Sequence, residues 1–215
     1  MLFVAGRDYP SASIREEDAM KRLFAAGLIV IGLGIFGCAL EPTRGDWVTL
    51  FDGSTLDQWY TVGDANWRIE GDSVVADKLT GKANGFLVTK KLYRDFHLKA
   101  EFWVSHDANS GIYMRCGNPW LFNDKICYEA NIFDQRKDPT YGTGALVHIA
   151  KVVPMPKAGG KWNTYDITVR GTQIVLVLNG VKTVDVQDSQ FKRGHIALQY
   201  AAGTVKFRKV RIREL

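Results

Sequence analysis

The side chains best suited to chemistry cluster between Asn109 and Asp134, in NSGIYMR and, after a loop that follows Cys116, in CYEANIFD. Asn109, Gly111, Tyr113 and Arg115 alternate with Ser110, Ile112 and Met114, and Glu129 and Asn131 alternate with Tyr128, Ala130 and Ile132. The two-residue period of a strand predicts that each set shares one face. Two such strands side by side would offer one apolar face to a core. The other would carry an amide, a phenol, a guanidinium and a carboxylate, a set fit for proton transfer and for holding hydroxyl groups. A merely wetted sheet surface is the plain alternative, with Glu129 a surface acid and Arg115 its ion-pair partner.

Further residues extend the set. His148 alternates with Val147 and Ile149, so it joins the polar face if its strand lies in the same sheet, as a proton shuttle or as a structural histidine. Asp134 lies five positions after Glu129, and strict alternation sends it to the opposite face unless a bulge intervenes or it sits past the strand end. Gln199, Tyr113, Asn109 and Asn131 are candidate hydroxyl binders, and Trp103 a candidate stacking platform. Trp47, Trp59, Trp67 and Trp162 read as packing residues. A divalent ion held by Glu129, Asp134 and His148 is compatible with the ligand types; no other cofactor is indicated. Strict alternation also places Cys116 on the apolar face and Cys127 on the polar one. A disulfide between them requires a bulge or a shifted register, and two free thiols are the alternative.

These residues must be positioned by strands. Short β-type runs are separated by turn signals throughout: Trp47–Phe51, Trp67–Glu70, Ser73–Ala76, Phe86–Thr89, Phe96–Val104, Ala145–Ile149, Trp162–Val169, Ile174–Leu178, Val181–Val186, His195–Tyr200 and Thr204–Ile212. Gly71-Asp72 and, more strongly, Asn179-Gly180 mark two-residue hairpins. Phe96, Leu98, Ala100, Phe102 and Val104 alternate with polar or amphipathic neighbours. About a dozen strands at this spacing, with no long 3.6-residue period outside the N-terminus, predict an all-β two-sheet sandwich or barrel.

The first residues read differently. Lys21 and Arg22 precede the apolar run Leu23–Gly37, which is short for a bilayer span and is followed by Cys38. This pattern predicts an export signal over residues 1–37. Ile35-Phe36-Gly37-Cys38 resembles a bacterial lipoprotein box, with Cys38 the lipidated residue, although Phe36 departs from the usual small or polar residue. An uncleaved anchor helix is the alternative. The acidic Glu16, Glu17 and Asp18 suit no export leader, so translation is expected to start at Met20. Gly32-Leu-Gly34-Ile-Phe-Gly37 matches a dinucleotide fingerprint but precedes no helix and belongs to the signal. Residues 38–46 form a tether, and the domain spans 47–215. The expected location is the periplasm or cell surface, anchored in the membrane. The net charge of +5 comes from scattered basic residues and is a poor signature of nucleic-acid binding.

The whole of this domain resembles the 3-keto-disaccharide hydrolase family. The landmarks are LFDG at 50–53, LDQW at 56–59, NSGIYMR, YEANIFD, TGA at 143–145, KWNTYDI at 161–167, GHIALQ at 194–199 and FRKVRI at 207–212. The resemblance implies a concanavalin-like jelly roll with a concave polar sheet, and action on sugars whose 3-hydroxyl is a ketone. There a base removes the proton on C2, the enolate expels the C1 substituent, and water adds back. Glu129 is then the base or a metal ligand, Arg115 the partner of the enolate oxygen, and His148 the proton shuttle. This reading requires Arg115, Glu129 and His148 to meet in one hollow. Asn131 and Cys127 depart from the family's more usual Gln and Gly. A non-catalytic carbohydrate-binding module is the alternative. Ordinary retaining hydrolysis would need two carboxyl groups about 5–5.5 Å apart, and here the spacing Glu129-Ala-Asn131-Ile-Phe-Asp134 puts an amide at the middle position of a laminarinase-type strand.

Overall fold

The computed structural model describes residues 45–215. The expected export signal, the expected lipidation at Cys38, the expected start at Met20 and most of the expected tether lie outside them. Thirteen strands build two sheets among the described residues. The larger holds β1 (Val48–Phe51), β3 (Arg68–Glu70), β4 (Ser73–Ala76), β6 (Phe96–Val104), β9 (Trp162–Arg170), β10 (Gln173–Leu178), β11 (Val181–Gln187) and β13 (Val205–Glu214), in the order β11-β10-β9-β6-β13-β4-β3 with β1 also on β13. The smaller holds β2 (Trp59–Val62), β5 (Gly85–Thr89), β7 (Ser110–Cys116), β8 (Tyr128–Ile132) and β12 (His195–Tyr200), ordered β2-β5-β12-β7-β8. All these named strands pair antiparallel, and sequence neighbours repeatedly fall in different sheets. The chain is a two-sheet jelly-roll sandwich.

The inner faces meet in one core. Phe96, Leu98, Ala100, Phe102 and Val104 of β6 point inward as the alternation predicts, against Tyr165, Ile167 and Val169 of β9 and Phe207, Val210 and Ile212 of β13. Ile112, Met114, Tyr128, Ala130, Ile132, Ile196 and Leu198 close it from the smaller sheet. Full burial of each such large side chain stabilises by about 1.5–3 kcal/mol, which binds the two sheets face to face. The Asn179-Gly180 hairpin forms as expected. Both residues have positive φ, 51° and 81°, the conformation this turn demands.

Two elements differ from the alternation reading. Ala145–Ile149 is no strand: Leu146 bridges Ala130 and Ala150, and residues 147–149 turn, with His148 at φ 64°. β2, by contrast, is an edge strand that the sequence reading passed over, because Trp59-Tyr60-Thr61-Val62 is four β-formers with no alternation.

Candidate active site

Glu129 and Tyr113 face each other across the β7–β8 pair. The Tyr113 hydroxyl is hydrogen-bonded to the Glu129 carboxyl and accepts from Gln199 Nε2 on the next strand, β12, at 3.3 Å. Glu129 is only 5% exposed. Burial pushes its carboxyl up to about 7, against a smaller opposing effect of the Tyr113 hydrogen bond; the charge of Asp124 adds to the rise and Arg136 offsets part of it. Burial, and then the Glu129 charge, push the Tyr113 phenol well above its ordinary value. The result is a carboxyl poised between its two states near neutral pH, as a general base must be.

Gly111 makes the room. It pairs with Asn131, and a methyl group there would lie 2.8 Å from Glu129 Oε1 and 3.1 Å from its Cγ. Two more polar atoms of this region, Gln199 Oε1 and Asn131 Oδ1, are buried without a hydrogen-bond partner. Buried polar atoms are rarely left so, and ligand hydroxyls are natural partners for them. The amide nitrogen of Asn131 is already committed to Tyr141 O at 2.7 Å. Asn109 lies half-buried just ahead of β7, on the same side by alternation, with its backbone bridged to Ala202.

Arg115 does not join them. The register of β7 on β12 slips between His195↔Cys116 and Ala197↔Tyr113, and Arg115 takes φ 54° at this bulge. The guanidinium is driven into the protein, 2% exposed. There it donates to Arg94 O at 2.8 and 2.7 Å, to Gly171 O and Phe191 O at 2.9 Å each, and to Asp95 Oδ1 at 3.1 Å. It is a clamp on three loops, and no enolate partner. The same bulge turns Cys116 onto the face of Tyr113, where it is disulfide-bonded to Cys127. The strict alternation that set the two thiols on opposite faces fails at this one residue.

The other expected members also part. Asp134 lies beyond β8 and accepts from Ala158 N at 3.0 Å, Gly159 N at 2.9 Å and Thr143 Oγ1 at 2.7 Å, which ties the 153–160 loop to the end of the strand. Trp103 stands on the far side of the molecule: β6 belongs to the larger sheet, and the ring carries the Lys206 ammonium at 5.3 Å. Among the described residues no group of three or more His, Cys, Asp or Glu side chains could hold a metal ion. Glu129, Asp134 and His148, whose types are compatible with a divalent ion, are therefore not gathered into such a group.

His148 stays near by another route. The amide of Val147 donates to Glu129 O at 3.0 Å, so its turn runs along the β8 edge. The imidazole reaches Asp124 Oδ2 at 2.9 Å, half exposed, on the wall of a cleft of about 350 Å³ that Asp124, Gln190 and Phe191 also line. Asp124, whose charge is felt by both Glu129 and Tyr113, is absent from the sequence reading. It sits in the irregular loop between the two cysteines, where no periodicity singles out a residue. A cleft of about 440 Å³ elsewhere, walled by Thr49, Lys99, Glu101, Thr164, Lys209 and Arg211, lies on the larger sheet and away from Glu129.

Two provisionally assigned glycosyl hydrolases from Parabacteroides distasonis superpose with TM-scores of 0.68 and 0.62. Their identities are 18% and 24%; both matches cover 79% of this chain, and 94% and 100% of the respective structures. The carbohydrate-binding module CBM66 from Bacillus subtilis superposes with a TM-score of 0.52 at 18% identity, covering 72% of this chain and 94% of the module. At these identities the likeness is one of fold. No curated protein matches the sequence significantly. The model of the 3-keto-alpha-glucoside-1,2-lyase-like domain matches residues 46–213, nearly the whole described region, and the chain belongs to that family.

Proposed function

We propose that the chain cleaves 3-keto-glycosides by elimination, with Glu129 as the base. The observation that carries this reading is the Glu129 carboxyl itself: buried, held by Tyr113 and shifted to about 7. A ketone at C3 acidifies the C2 hydrogen. Glu129 takes that proton, and the C2–H electron pair becomes the enolate. Until then the carboxylate accepts the Tyr113 hydrogen bond. Once protonated it no longer competes for that donor, and the phenol is free to turn to the enolate oxygen. The enolate collapses to restore the C3 carbonyl and form the C1–C2 double bond, and the C1 substituent leaves with its electron pair. A proton reaches the leaving oxygen from the rim, where Asp124 orients His148. Water then adds across the double bond to complete hydrolysis. Gln199, slightly exposed and with an unpaired side-chain oxygen, holds a sugar hydroxyl.

The test is direct. The purified domain should release the leaving group from a 3-keto-glucoside and leave the plain glucoside intact, and Glu129→Gln should lose the activity. Equal action on both sugars, or an unimpaired Glu129→Gln, refutes the assignment. The second reading, a binding module without turnover, is favoured by the same unpaired amide oxygen, which suits sugar recognition alone. Tight binding of the keto sugar with no product would establish it. Export and membrane anchoring through Cys38 belong to this proposal on the sequence pattern, and loss of lipid labelling in Cys38→Ala would test them.

A further inference from the structure

Glu129, Tyr113, Gln199 and Asn131 account for only the β12–β7–β8 part of the outward face of the smaller sheet. The β5–β2 part is of a different nature. Phe86 of β5 stacks on Phe122 of the disulfide-closed loop, with centroids 4.6 Å apart and planes at 25°, and meets Tyr113 edge-on at 5.5 Å. Val62, Val88 and Tyr60 pack in the same cluster. At its outer end Trp120 leans on Tyr60, centroids 5.4 Å apart.

Two ring groups, Tyr113–Phe86–Phe122 and Tyr60–Trp120, thus lie side by side, Tyr60 packing against the first cluster, between Tyr113 and the solvent. They end in a loop that presents large apolar groups to water: Trp120 is 64% exposed and Leu121 54%. Leaving such groups exposed forgoes the favourable transfer of apolar surface out of water, so a contiguous patch of this kind marks a binding surface. The disulfide joins the two ends of the loop at Cys116 and Cys127, directly beside the site. The strip therefore adjoins the Glu129 site through Tyr113.

A glycoside has two unlike halves. Its sugar ring needs hydrogen-bond partners, which the polar part supplies. Its C1 substituent must extend away from the base, and the strip adjoining Tyr113 offers ring faces. We infer that the Tyr60–Phe86–Phe122–Trp120 strip is the subsite for the C1 substituent and selects flat aromatic aglycones over small alkyl ones. This rests on the Glu129 reading given above.

The experiment compares a 3-keto phenyl glucoside with the 3-keto methyl glucoside of the same anomer, in the wild type, Trp120→Ala and Trp120→Phe. The wild type should favour the phenyl substrate by roughly fivefold or more in kcat/KM, and because phenoxide is also the better leaving group, the change in the phenyl-to-methyl ratio across the variants is what reads the ring contacts. Trp120→Ala should lower the phenyl value roughly three- to tenfold, leave the methyl value within about twofold, and be rescued by Trp120→Phe. Equal values for the two substrates in the wild type, or an equal loss on both in Trp120→Ala, overturn the inference. If neither keto sugar is cleaved, the elimination reading falls and the strip is judged by calorimetric titration with plain phenyl and methyl glucosides. Phenyl-selective binding that Trp120→Ala abolishes upholds the subsite. Absent or unselective binding refutes it.

Discussion

Two strand glutamates, Glu101 on the outer face of the larger sheet and Glu129 on the outer face of the smaller, show what environment does to one residue type. Partial burial pushes Glu101 up, but hydrogen bonds and charge from Lys209 and Arg208, at 2.9 and 2.7 Å, leave it below its ordinary value. Its surroundings are fully compensated: Lys99 pairs with Asp166 at 2.9 Å, Arg208 also with Asp72 at 3.1 Å, and Arg208 lies 3.8 Å over the Trp162 ring. Glu129 is buried more deeply, its hydrogen bond comes from a phenol, and its carboxyl moves the other way. Around Glu101 the charges find partners and the face stays a surface, even where it forms a cleft; farther along β13, Arg213 Nε is buried without one. The second face leaves two amide oxygens without partners beside a buried carboxyl, and so is suited to a ligand.

The contrast is sharpest in activity. Glu129→Gln should lower turnover of a 3-keto-glucoside about 10²–10⁴-fold, whereas Glu101→Gln should leave it within about twofold; steady-state kinetics of both variants decide. Equal losses would mean that the two faces do not differ in function.

Stability separates buried clamp from surface pair. Arg115→Ala removes the buried guanidinium that ties the carbonyls of Arg94, Gly171 and Phe191 and the Asp95 carboxylate together, and should cost about 3–5 kcal/mol. Arg208→Ala breaks pairs that are partly open to water, for which less than about 1 kcal/mol is expected. Urea denaturation of the two variants measures the difference.

The two acids should also bend stability with pH in opposite senses. The folded pKa of Glu129 is raised from 4.5 to about 7. Its favourable contribution is therefore complete below about 4.5 and lost as pH rises through about 7, an effect on the order of 1–3 kcal/mol. Glu101 has a lowered folded pKa, so its contribution is present above 4.5 and lost as pH falls through its folded value. Melting curves from pH 4 to 9 should lose their decline toward neutral pH in Glu129→Gln and keep it in Glu101→Gln. On the same grounds, activity should rise with pH through about 7.

The smallest effect tests the room beside the carboxyl. Gly111→Ala places a methyl 2.8 Å from Glu129 Oε1 and should cost roughly tenfold in kcat by displacing the base, with the substrate KM little changed. A variant as active as the wild type would show that the carboxyl position is not critical.

Much of this architecture is written into residue order. The alternation of Phe96–Val104 needs only a pleated backbone and an oily side, and β6 follows it residue by residue. Asn179-Gly180 turns as its dipeptide prefers, and Glu129 with Tyr113 falls on one face because no irregularity separates them from their strands' period. Those are local consequences of a side-chain period and of turn preference. What the period could not carry is the single extra residue at Arg115. One bulge sends a guanidinium inward and a cysteine outward, and it undoes the expected meeting of Arg115, Glu129 and His148. Nor could it tell that β6 and β7, neighbours in sequence, lie in opposite sheets, which removes Trp103 from the site. Asp124 and Phe122 come from an irregular loop whose place follows from the disulfide and from Phe86 beneath it. Periodicity is set within a strand by bonds a residue or two away. Strand neighbours, bulges and loop placement are set by packing between segments distant in the chain, and only the folded molecule expresses that choice.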